Sequence, residues 1–106
     1  MKLFEGQTAV VTGAGSGIGR SIALGLAAQG ARLCLVGREL KKLEKVAQSI
    51  RSETHRVSSY SVDLLIEAEI ESLACKLKLH VGQIDILIHC AGVISIGSFG
   101  FIRSVE

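Results

Sequence analysis

Two rhythms of apolar residues alternate along this chain. Short, nearly unbroken apolar runs stand at Thr8–Thr12, Arg32–Val36 and Ile84–Cys90, with a weaker, serine-rich one at Val57–Val62. Between them, apolar positions recur at helical spacing. Unbroken runs suit strands buried on both faces of a sheet, and the longer period suits helices that bury one stripe. The pattern predicts a helix from Gly17 to about Gln29 burying Ile18, Ile22, Ala23 and Leu26, with Gly30 where a C-terminal cap glycine belongs. A second helix, about Glu39 to Arg51, would bury Leu40, Leu43, Val46, Ala47 and Ile50. A third, about Ile66 to His80, would bury Ile70, Leu73, Ala74 and Leu77. It carries Glu67, Glu69 and Glu71 early and Lys76 and Lys78 late, the order a helix dipole favours. Phe99 to Glu106 reads as a loop entering a further helix.

Short strands alternating with helices of this length imply βαβ units and a parallel sheet. The expected fold class is α/β, a doubly wound parallel sheet of which the chain supplies the first four strands, in the order 3-2-1-4. The full arrangement has six strands. Residues 1–106 are therefore expected to be the N-terminal part of a single domain with no internal boundary.

Composition changes this picture little. Hydrophobic residues make up 48% of the 106, with 4% aromatic and no tryptophan, so the core must be built from Val, Ile, Leu and Ala. There is no proline to mark a linker. A net charge of +2, with acidic and basic residues interspersed, argues against nucleic acid or a membrane surface as partner. The N-terminus lacks a signal-peptide core. The longest apolar stretch, Ile84 to Ile94, is broken by Asp85 and His89 and is too short to span a bilayer, so a cytoplasmic protein is expected. Cys34 and Cys75 read as small core residues and Cys90 as a space-filler. His55, His80 and His89 are not spaced as metal ligands, and His89 reads as a packed strand-end residue.

The stretch that carries chemistry joins the first strand to the first helix: Thr12-Gly13-Ala14-Gly15-Ser16-Gly17-Ile18-Gly19. Glycines let backbone approach a ligand, and the helix that follows aims its unpaired N–H groups and positive dipole end at the same space. A pyrophosphate is the natural occupant. The P-loop spacing is excluded, because the window Ala14–Ser21 has Ala14 for its first glycine and Arg20 for its lysine. The G-x-G-x-x-G fingerprint fails at Ile18. What remains is T-G-x-x-x-G-x-G, at Thr12, Gly13, Gly17 and Gly19, with Gly15 as an extra glycine.

That spacing resembles the short-chain dehydrogenase/reductase family, along nearly the whole chain. Ser16 stands where the extended branch of the family has its middle glycine, so the shorter-chain branch fits better. The resemblance implies a Rossmann-like fold and a dinucleotide cradle formed by Thr12, Gly13, Gly15, Ser16, Gly17, Ile18 and Gly19. It implies that Asp63 accepts from the adenine amino group, helped by the Leu64 backbone N–H; read alone, Asp63 is a strand-closing aspartate. His89-Cys90-Ala91-Gly92 resembles the family's Asn-Asn-Ala-Gly segment, with Ala91 and Gly92 matching and lining the cofactor cleft. At the end of the second strand, where NAD users carry an acidic residue for the ribose 2′-hydroxyl, stands Gly37, followed by Arg38. A guanidinium there suits a 2′-phosphate, so NADP(H) is expected in preference to NAD(H).

The family resemblance also implies hydride transfer to or from a small carbonyl or alcohol substrate. The family's Tyr-x-x-x-Lys pair has no counterpart here: the one tyrosine, Tyr60, is followed four residues on by Leu64. Ser95 and Ser98 do not occupy the place of the family's catalytic serine. No catalytic residue is assigned, and the 106 residues are expected to hold cofactor without turnover. Homo-oligomers, if formed, would pair through later helices. The alternatives are an inactive dinucleotide-binding module and a non-functional fragment with an exposed apolar edge at Ile86 and Ile88.

Overall fold

The computed structural model describes residues 2–51 and 56–90, together with the backbone of 93–96 and 102–105. The elements run β1 (Thr8–Thr12), α1 (Gly17–Ala28), β2 (Arg32–Gly37), α2 (Leu40–Arg51), β3 (Val57–Ser61), α3 (Glu67–His80), β4 (Ile86–His89), β5 (Val93–Ile96) and β6 (Ile102–Val105). The first four strands form one parallel sheet in the order β3-β2-β1-β4. The expected doubly wound, Rossmann-like α/β architecture and its strand order are what the chain adopts.

β1 is buried at all five positions and, like β2, pairs on both sides, so the two are the inner strands of the sheet. Alternate residues of a strand point to opposite faces. Ala9 and Val11 of β1 and Leu33 and Leu35 of β2 thus meet α1 and α2 through Ala23, Ala27, Leu43, Val46, Ala47 and Ile50. Val10, Cys34 and Val36 meet α3 on the other face through Leu73 and Leu77. α1 closes as its sequence predicts: the Gly30 N–H donates to the Ala27 carbonyl and the Ala31 N–H to the Leu26 carbonyl, the paired bonds of a Schellman motif.

Register aligns the strand ends. Thr12 lies opposite Val36 on one side and His89 on the other, and Val36 lies opposite Tyr60. The loops that follow β1 and β2 therefore leave one edge of the sheet. β1 and β4 are adjacent at the point where the strand order reverses, the place where open parallel sheets present a crevice to ligands.

Several expectations are corrected. The buried seam of α1 is Gly19, Ala23 and Ala27; Ile22 and Leu26 are only half-buried and Ile18 is 75% exposed. The small residues let α1 sit so close to the β1 turn that a larger side chain would not fit on that face. Leu40, the first residue of α2, is 48% exposed. Cys75 is exposed, unlike buried Cys34. It sits one residue, and so about a quarter-turn, off the seam of Ile70, Leu73, Ala74 and Leu77. The expected loop at the end of the chain contains a strand: β6 pairs antiparallel with β5, both rich in β-branched residues. Phe99 and Glu106 lie outside the described residues.

Among the described residues, no helix is long and apolar enough to cross a membrane. Nor does any group of three or more His, Cys, Asp and Glu among them come together as a metal site; His55 lies outside this set.

Candidate functional site

The turn between β1 and α1 is made by backbone that side chains would obstruct. Gly13 adopts φ +66° and Gly17 φ +59°, in the left-handed region. A Cβ on Gly19 would run into the Gly13 carbonyl, at 2.7 Å from its carbon. The Ala14 N–H donates to the Val36 carbonyl and ties the turn to β2. Ser16 is extended ahead of the helix, and its hydroxyl makes no capping bond to α1. By helix geometry the N–H groups of Gly17, Ile18 and Gly19 have no acceptor within α1. The arrangement is an anion cradle, with donors, a free hydroxyl and the positive end of a helix converging on one space.

A cleft of about 670 Å³ opens beside this turn. Gly13, Gly15 and Ser16 form one wall; Gly37, Arg38, Glu39, Lys42 and Leu43 form the other. Its size is that of ordinary ligand pockets, about 300–1,000 Å³. The Arg38 carbonyl accepts a hydrogen bond from the Ser61 hydroxyl at 3.0 Å, which anchors this backbone, while its guanidinium makes no ion pair or hydrogen bond among the described residues. Glu39 begins the next helix: its carbonyl accepts from the N–H groups of Lys42 and Leu43. Its carboxylate is 2.8 Å from the Lys42 ammonium, and the hydrogen bond and charge of Lys42 hold it below the usual carboxylate range. The cradle, the open cleft and the unpaired Arg38 guanidinium on its anchored backbone fit the phosphates of a dinucleotide.

The other expected residues distribute around this centre. Ile18 is exposed at the first turn of α1 and does not line the cleft. Thr12 is buried behind the cleft, at 1% exposure. Its hydroxyl accepts from the Cys90 N–H at 3.2 Å and lies 2.7 Å from His89 Nδ1. A hydroxyl has one proton and two lone pairs, so it can serve Nδ1 as donor or as acceptor beside the Cys90 bond; the other ring nitrogen of His89 is Nε2. That Nε2 is buried without a partner among the described residues. Thr12 thus braces β1 against β4 through His89, the half-buried last residue of that strand. One Asp63 carboxylate oxygen accepts from the Leu65 N–H at 3.0 Å, while the Asp63 N–H donates to Glu69. The Leu64 side chain is partly buried against the core on the α3 face of the sheet. Both stand at the end of β3, outside the cleft walls. Ala91 and Gly92 lie outside the described residues.

Sequence reading did not place Lys42 in the cleft. The available signal was its spacing: Glu39 and Lys42 are three apart, the distance at which helical side chains meet.

Fold and site together define an α/β protein of Rossmann-like architecture with a glycine turn at its switch point. The model of the short chain dehydrogenase family matches residues 7–105, and the chain belongs to that family. Over 96 residues it is 38% identical to 2,3-dihydro-2,3-dihydroxybenzoate dehydrogenase of Bacillus subtilis (strain 168), which covers 91% of this chain and 37% of that protein. Among solved structures it resembles the citronellol catabolism dehydrogenase of Pseudomonas aeruginosa PAO1, with TM-score 0.81 and 42% identity over 92% of this chain and 42% of the other. It also resembles a short chain dehydrogenase of Shigella flexneri 2a str. 301 solved in complex with NADP, with TM-score 0.80 and 34% identity over 87% and 40%. The chain spans well under half the length of these relatives.

Proposed function

We propose that this chain, within one dinucleotide-binding domain, holds the phosphate-bearing half of NADP(H) for an oxidoreductase acting on a small carbonyl or alcohol substrate. The observation that carries the reading is the free Arg38 guanidinium on anchored backbone, facing the glycine turn across the cleft. Gly37 offers no side-chain acceptor for a ribose 2′-hydroxyl, whereas Arg38 can grip a 2′-phosphate through two parallel N–H bonds. Gly13, Gly15, Ser16, Gly17 and Gly19 would hold the pyrophosphate through backbone donors and the Ser16 hydroxyl, with Ile18 beside them. Asp63, through its remaining carboxylate oxygen, and the Leu64 N–H would meet the adenine, and Ala91 and Gly92 the ribose beyond β4. The bound cofactor supplies the hydride.

A carbonyl reduction also needs a proton donor. Tyr60, the one tyrosine of the sequence, is half-buried in β3 and carries no such role here. The part proposed for these residues is therefore cofactor holding, in the cytoplasm, with no turnover of their own. The presence of an NADP complex among the structural relatives supports the choice of cofactor class.

Titration calorimetry of the chain with NADP⁺ and NAD⁺ tests this. Wild type binds NADP⁺ more tightly. Arg38→Asp weakens NADP⁺ binding by about tenfold or more, the loss expected of a charge-assisted hydrogen bond, and NAD⁺ binding much less. Equal losses for the two cofactors would sink the assignment.

A further inference from the structure

The cleft contains one carboxylate, and it is in the wrong place for a 2′-phosphate. Glu39 immediately follows Arg38, where it could repel that phosphate, accept from a 2′-hydroxyl, or pair with Arg38 and take it out of service. In the structure it makes no ion pair with Arg38. Its Oε2 is 2.8 Å from Lys42 Nζ, while Arg38 makes no ion pair among the described residues.

The position of Lys42 is constrained. A Cβ on Gly15 would lie 3.0 Å from the Lys42 Cβ, so the root of the lysine side chain rests against the glycine turn. Lys42 also lines a second groove, of about 310 Å³, with Arg20 and Lys45. No carboxylate other than Glu39 lines either space, so nothing else there competes for Lys42.

We propose that Lys42 determines cofactor specificity at one remove: by occupying Glu39 it keeps Arg38 free for a 2′-phosphate and withdraws the one carboxylate that would favour a 2′-hydroxyl. The inference rests on the cofactor reading above. It makes Lys42 a positioning residue, acting through Glu39 and Arg38 rather than by its own contact with the nucleotide.

The test is the ratio of NADP⁺ to NAD⁺ affinity, measured by calorimetry on the 106-residue chain at low ionic strength, where exposed charges are least screened. Lys42→Met lowers the ratio by about fivefold or more, the scale of one charge interaction near a surface. Glu39→Gln leaves the ratio at or above that of wild type. The double variant K42M/E39Q returns to within about twofold of E39Q, because the lysine has nothing left to neutralise. Lys42→Arg, which keeps the charge, keeps the ratio, and it carries the test with E39Q if K42M fails to fold by circular dichroism. An unchanged ratio in K42M overturns the proposal. So does a double variant as impaired as K42M, which would make Lys42 a direct phosphate ligand, or an E39Q ratio well below wild type. Wild type that binds neither cofactor, or binds them equally, instead defeats the cofactor reading itself.

Discussion

Gly19 and Gly25 lie on the same helix and have opposite expected tolerances. A Cβ at Gly19 meets the Gly13 carbonyl, whereas one at Gly25 meets nothing within 4 Å. Gly19→Ala should push α1 off β1 and destabilise the chain by about 1–3 kcal/mol, as overpacking does. Gly25→Ala should stabilise it by about 0.5–1 kcal/mol through a lower entropy of the unfolded chain. Urea unfolding of both variants measures the pair, and equal effects would show that the close approach is not what requires Gly19. The glycines of this turn were legible from their spacing alone. Which of them faces backbone and which faces open space was not, because that depends on how near α1 lies to β1. The same nearness explains why Ile18, apolar and in helical phase with Ile22, ends up exposed.

Among elements, the junction of β1 and β4 has the most specific chemistry. The Thr12 hydroxyl serves the Cys90 N–H and His89 Nδ1 together, at the edge of the sheet where the cleft opens. Thr12→Val keeps the shape but leaves both groups unsatisfied in a half-buried setting. The expected loss is about 1–3 kcal/mol, read as a lower urea midpoint with unchanged slope. A midpoint within error of wild type would mean that water replaces the hydroxyl. A threonine ending a strand is visible in a sequence. That its partners lie 77 and 78 residues away is set by strand register, which no local pattern encodes. α3 makes the complementary case. Periodicity alone finds its seam, and the phase of Cys75 places it outside that seam even though its residue type suits the core.

Across the sheet, β1 and β2 are paired on both sides and covered by helices on both faces, while β3 and β4 each have one edge unpaired among the described residues. Amide hydrogen exchange should therefore be slowest at Val10, Val11, Leu33 and Leu35 and faster along β3 and β4. If β4 exchanged as slowly as β1, its free edge would have to be covered by something beyond the described residues.

The alternation of apolar runs and helical stripes determined the order of elements and, through the rules for parallel connections, the strand order 3-2-1-4. The glycine spacing determined where the anion cradle would form. Both are local patterns written in contiguous residues. The sequence also named Arg38 as the cation beside the cradle. Only the tertiary structure decided that Lys42 engages Glu39 and leaves Arg38 open, and that the Thr12 hydroxyl reaches His89 and Cys90 at the end of β4. It also decided that α1 packs through glycine and alanine with Ile18 left outside. Each of these depends on distances between elements, fixed when the sheet and its helices pack together and not by any stretch of chain alone.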